Sequence, residues 1–265
     1  MRDRIAVILM ALLAVSLPGC IEVATVLTLE GDGSGTITEE ILLSDKLREQ
    51  VEKESAAGAP NPLKRIMDEK RHEERAPTFG EGVKFVKTEQ IEKHGAKGVR
   101  VTYAFEDINH VKFRPGGAIE ELKAGVPGEE ETKVKTKSRP VTFKFADKKL
   151  TLNFPKDPRP RKPRPGKERA ANPQEETVMK ETLRGVKTSA KLVIEPGIAG
   201  TDASHVDGNT IVLRDLDFGK IVGDPGGIKA LLKMDRGGRA EMEKHLKGLD
   251  GVTVEFKDTV EVTLK

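Results

Sequence analysis

The chain has no tryptophan and a single tyrosine, Tyr103, and aromatic residues make up only 4% of its 265 residues. Surfaces that stack sugar rings or nucleobases draw on Trp and Tyr, so recognition of glycans or nucleobases by stacking is disfavoured. Cysteine is almost absent too: Cys20 stands alone, which excludes an intramolecular disulfide and leaves stability to packing and hydrogen bonds. Neither sign of charge prevails. With 46 Lys and Arg against 43 Asp and Glu the net charge is +3, a balance that argues against a nucleic-acid partner. The five histidines, at 72, 94, 110, 205 and 245, include no pair at the spacing of a zinc site, about three to five residues, so no metal is expected and each reads as a surface residue.

Catalytic motifs are missing as well. The sequence holds no phosphate loop ending in Gly-Lys-Ser/Thr, no His-Glu-x-x-His and no dinucleotide fingerprint. Ser34 is not a nucleophile elbow, because its flanking glycines are adjacent to it and not two residues away. Carboxylate neighbours such as Glu39-Glu40 and Glu120-Glu121 arise by chance in a chain that is 34% charged, and are read as solvated. The expectation is a protein without cofactor or enzymatic activity. The alternative is an envelope hydrolase whose site is assembled from dispersed Asp, Glu and His.

What the chain does have is one apolar run, Ile5 to Leu17, behind a charged start with Arg2 and Arg4 and ahead of Leu17-Pro18-Gly19-Cys20. This is the layout of a secretory signal. Thirteen residues fall short of the roughly 20 that cross a bilayer, and Glu22 blocks an extension. Gly19 is small enough for a peptidase to approach the bond, and the Cys20 thiol is a soft nucleophile suited to a glyceryl carbon. The segment resembles the lipobox of bacterial lipoproteins. That resemblance implies removal of residues 1–19, a diacylglycerol thioether on Cys20, acyl chains such as palmitate, and a mature protein anchored in the cell envelope. Ile21, in place of an aspartate after the cysteine, points by the enteric sorting rule to the periplasmic face of the outer membrane in a diderm cell.

Alternation and turn residues predict the rest. Val23, Thr25, Leu27 and Leu29 and then Ile37, Ile41 and Leu43 flank Gly31-Asp32-Gly33-Ser34-Gly35 as a hairpin. Val83 to Ile91 and Gly98 to Phe105 form a second around His94-Gly95, and Val141 to Phe145 with Leu150 to Phe154 a third around Asp147-Lys148. A helix capped by Ser44 or Asp45 carries Leu43, Leu47 and Val51 on one stripe. Another begins at Asn61-Pro62, with Leu63, Ile66 and Met67 inward and Lys70 to Arg75 as its solvated end. Pro115 to Thr132 reads as a loop. The proline- and base-rich stretch 155–173 reads as a linker or loop between regions 20–154 and 174–265, which either stand apart or form one domain.

Beyond it, Asn172-Pro173 opens a helix with Val178, Met179 and Leu183 inward. Strands follow at Val186 to Ile194 and Thr210 to Leu213, then a short helix through Ile228, Leu231 and Leu232. Another helix, Arg239 to Leu249, turns Met242, Leu246 and Leu249 to one side. Val252, Val254 and Phe256, a Lys257-Asp258 turn, and Val260, Val262 and Leu264 close the chain. Hairpins separated by helices indicate an α+β fold, a mainly antiparallel sheet covered by amphipathic helices.

Leu192-Val-Ile-Glu-Pro-Gly followed by Asp207-Gly-Asn-Thr-Ile-Val is similar to the strand, Pro-Gly turn and Gly-Asn-Thr-Val strand of LppM-type bacterial lipoproteins. The resemblance implies an envelope-anchored domain with an apolar cavity for lipid-like ligands, and it carries over no catalytic residue. The function expected is a non-catalytic binding module at the membrane surface that takes an apolar ligand or docks an envelope protein. Tyr103 and Phe105 from the sheet and Val178, Met179, Leu183, Met242, Leu246 and Leu249 from the helices are the candidates to line a cleft.

Overall fold

Along Ile21–Leu29 (β1) every second side chain, from Val23 to Leu29, is buried, and the pattern continues across a tight turn into Gly35–Ser44 (β2). A period of two is what a strand with one packed face imposes. The turn is set by Asp32, whose Oδ1 accepts from the Ser34 backbone N at 2.9 Å and the Ser34 hydroxyl at 2.6 Å, with Gly33 at a φ of 93°. His94 and Gly95, both at positive φ, join Lys84–Lys93 (β3) to Ala96–Phe105 (β4) in the manner of a two-residue hairpin.

The computed structural model describes residues 21–56, 64, 66–115, 139–155, 173–234 and 239–265. Within them, Lys112–Phe113 (β5), Val141–Ala146 (β6) and Lys149–Asn153 (β7) precede the 155–173 stretch; Val186–Ile194 (β8), Ile198–Thr201 (β9), Val206–Asp207 (β10), Thr210–Asp217 (β11), Val252–Val254 (β12) and Thr259–Leu264 (β13) follow it. Two sheets result. The larger has eight strands in the order β10-β11-β8-β1-β2-β4-β3, with β12 beside β11; the smaller runs β5-β6-β7-β13-β9. All pairings are antiparallel except β1 with β8. Because β1 pairs with β8 and β7 with β13, residues on both sides of 155–173 share each sheet.

The two sheets bury one common core. Leu27, Leu29, Ile37, Tyr103, Leu192 and Ile194 of the large sheet pack with Phe113, Phe143, Leu150, Leu152, Val260 and Leu264 on the small one. At about 25 cal/mol per Å² of apolar surface, this layer is the main source of stability. The fold is therefore α+β, with the second sheet and the helices together covering the packed face. The helix Glu69–Arg75 packs on β3, and Phe218–Gly223 and Gly227–Met234 join a separate cluster around Leu216, Ile221 and Val254.

Three expectations are corrected. Lys70 to Arg75 is no solvated end: it forms a helix whose His72 is 4% exposed, while Met67 points outward at 41%. Glu39 is 2% exposed, so the Glu39-Glu40 pair does not sit in water. The last two strands do not form a hairpin, since β12 pairs with β11 and β13 with β7 and β9. The physical reason lies in Glu255, whose buried carboxylate accepts from Ser204 N (2.6 Å), Ser204 Oγ (3.0 Å) and Lys257 N (3.0 Å) and so carries the chain from one sheet to the other. Cys20 and residues 116–138 and 156–172 lie outside the described residues.

Candidate ligand cleft on the open sheet face

The alternation that buries one face of the large sheet leaves the other in contact with solvent. Ala24, Val26 and Thr28 on β1, Thr36 and Thr38 on β2, Thr102 and Ala104 on β4 and Ser189 and Val193 on β8 all keep intermediate exposure. These side chains are small, and charged groups border them. On one side Glu40 takes both the Lys93 ammonium (2.6 Å) and the Arg100 guanidinium (2.7 Å). On the other, where β1, β8 and β11 meet the Leu249–Gly251 turn and β12, the surface sinks into a cleft of about 510 Å³.

Strand parity explains the lining. Lys187, Ser189 and Lys191 alternate with the buried Thr188, Ala190 and Leu192, and a shift in register on β11 between Val212 and Arg214 turns Asp215 and Asp217 to the same side. Glu22 lies beside Lys187 in the parallel register of β1 and β8. Lys187 Nζ meets Asp217 Oδ2 at 3.1 Å, and Lys220 Nζ meets Asp250 Oδ1 at 3.4 Å. Burial alone would raise the Asp217 carboxyl, but the Lys187 ammonium and the backbone amides of Lys220 and Gly219 outweigh it and hold it below the ordinary range. Glu22, Lys191 and Asp215 also line the cleft, and none of the three makes an ion pair among the described residues.

The apolar candidates are distributed differently. Tyr103 and Phe105 are fully packed in the shared core, where Tyr103 lies 4.7 Å from the Phe79 ring. Val178 is 38% exposed, and Met179, Leu183, Met242 and Leu249 are partly buried. Leu246 is fully buried, and its helix packs on Gly227–Met234. Strands β8, β1 and β2 separate β11, beside these helices, from Tyr103 on β4, so the structure does not bring the two groups together. Only Leu249 lines the polar cleft.

Sequence reasoning missed the cleft residues and one buried network. His72 is bonded through Nδ1 to the Tyr103 hydroxyl (3.0 Å) and through Nε2 to the Ile66 carbonyl (2.7 Å). Arg75 pairs with both carboxylate oxygens of Glu39, at 3.0 Å for Nη2 to Oε1, and its guanidinium lies 4.7 Å from the Phe79 ring centre. The alternation of Lys187, Ser189 and Lys191 was a legible sign of an open polar face. Nothing local marked its convergence with Glu22 and Asp215.

No family model matches the chain, and no curated protein matches it. Among solved structures, the folded domain of the Mycobacterium tuberculosis protein LppM is similar at a TM-score of 0.34 and 8% identity, over 75% of this chain and 83% of that domain. A likeness this distant assigns no role to any residue of the cleft.

Proposed function

We propose that the chain is a lipid-anchored, non-catalytic binding module of the bacterial envelope, tethered through Cys20 and docking an envelope protein through the open face of its larger sheet. The cleft carries this reading. Glu22, Lys191 and Asp215 offer both signs of charge without partners of their own, so a complementary surface gains ion pairs without breaking existing ones. The small side chains of the neighbouring strands let a partner approach closely, and the tether holds the face near the membrane. An apolar ligand has less support, because Tyr103, Phe105 and Leu246 are committed to packed clusters.

The test is photocrosslinking in intact envelopes, with a photoreactive residue at Val26 or Thr38 on the open face and at Lys149 on the smaller sheet as control. The expected result is one adduct of discrete mass from the face positions, weakened by Lys191→Glu or Asp215→Lys. Equal adducts from face and control positions, or turnover of generic ester or peptide substrates by the purified protein, would replace this reading.

A further inference from the structure

Among the described residues five polar ones are buried in or against the packed face of the larger sheet: Thr25, Glu39 and Thr188 on its strands, His72 on the helix Glu69–Arg75, and Glu255 in the turn that leaves β12. Three have partners. Glu39 is held by Arg75, His72 by Tyr103 and Ile66, and Glu255 by Ser204 and the Lys257 amide. The hydroxyls of Thr25 and Thr188 have none, and neither has the Nε of Arg214, which is likewise removed from solvent. Buried polar groups are normally bonded, so three unpartnered ones in one place call for a cause.

Register puts them in one place. Arg214 on β11 lies opposite Ala190 on β8; Thr25 on β1 lies opposite Ala190 from the other side; Thr188 precedes Ala190 by two residues on the same face. Ala190 is the small residue at the centre. Arg214 and Thr188 are diagonal neighbours on adjacent strands, about 7 to 8 Å apart. Thr25 stands one strand further, across Ala190, about two strand spacings of 4.8 Å from Arg214 and within the span of a long side chain. The register shift on β11 is what turns Arg214 to this side, next to Leu213, which is itself in the core. Burial pulls the Arg214 guanidinium below its ordinary range, with no acid to oppose it. A cation held this way costs stability unless an anion joins it. The residue as a whole keeps partial exposure, which leaves a way in.

We propose that Arg214 and the hydroxyls of Thr25 and Thr188 form an oxyanion site that takes a carboxylate or a phosphate group. The guanidinium supplies a planar fork of donors, and the two hydroxyls add donors from neighbouring strands. The Glu39 carboxylate, one strand beyond Thr25, does not oppose the anion because Arg75 neutralises it. Of the three residues only Thr188 also borders the cleft; Thr25 and Arg214 do not line it.

The test uses the full chain in a nonionic detergent. Inorganic phosphate and acetate are titrated at constant ionic strength, with calorimetry and thermal unfolding as readouts, and native mass spectrometry records any anionic lipid carried through purification. For a free anion, the wild type shows saturable binding that weakens at least tenfold in Arg214→Met, while Thr25→Val and Thr188→Val, which keep the charge, weaken it less. For a lipid headgroup, the wild type carries an anionic lipid mass that Arg214→Met lacks. In either case Arg214→Met unfolds at a higher temperature than anion-free wild type. Absence of both saturable binding and lipid adduct, or an equal response in Arg214→Met, overturns the proposal; should that variant not fold, unchanged binding in both threonine variants does so.

Discussion

Arg75, at the end of the helix Glu69–Arg75, reaches both carboxylate oxygens of Glu39 in the middle of β2, and this pair ties the helix to the packed face of the larger sheet. The Glu39 side chain is 2% exposed and that of Arg75 12%. Two charges withdrawn this far from water are held by each other, by the Phe79 ring and by the Tyr103 hydroxyl.

Breaking the pair from one side is therefore costly. Glu39→Leu leaves a guanidinium without its carboxylate and is expected to lower unfolding stability by about 3 to 5 kcal/mol. The double variant Glu39→Leu with Arg75→Met should recover most of that loss, since no buried charge remains. Urea denaturation of the three proteins checks both expectations.

Acid acts through a different carboxylate. Burial tends to raise the Glu40 carboxyl, but hydrogen bonds and attraction from Lys93 and Arg100 hold it below its ordinary value of 4.5. A depressed folded-state value means that this contribution is present above the unfolded value and is lost as the pH falls through the folded one. Stability of the wild type should thus fall below about pH 4.5 more steeply than that of Glu40→Gln. Denaturation midpoints measured from pH 6 down to about pH 3 would show the two curves converging. Parallel curves would remove Glu40 from the account.

The proposed anchor is Cys20. Two or three acyl chains, at about 0.8 kcal/mol per buried methylene, hold a protein to a membrane far longer than a single chain does. Cys20→Ser is expected to move the protein to the soluble fraction or to leave its leader uncleaved. Fractionation with fatty-acid analogue labelling reads this out, and a wild type that takes up no label would contradict it.

The strands were the legible part of the sequence. In β1, β4 and β8 one side chain in two is buried, and apart from Thr25 and Thr188 these are apolar, an alternation written along the chain. The turns at Asp32-Gly33 and His94-Gly95 were legible because few residues accept positive φ. Pairing between distant strands was not. Lys257-Asp258 looks like a hairpin turn, and only the buried Glu255 and its Ser204 partners show that the chain changes sheets there. His72 and Arg75 looked like solvated charge for the same reason: their partners, Tyr103 and Glu39, are 31 and 36 residues away. Arg214 gave no signal at all, because its orientation depends on a register shift within β11.

The most direct test of the central claim, that the open face is a docking surface, is covalent lysine labelling read by mass spectrometry on intact envelopes and on the purified protein. Lys187 and Lys191 lie on that face, whereas Lys149 is on the smaller sheet and Lys229 on the Gly227–Met234 helix. The account predicts that Lys187 and Lys191 are labelled several-fold less in envelopes than after purification, while Lys149 and Lys229 are unchanged. Equal labelling of Lys191 in the two preparations would contradict it.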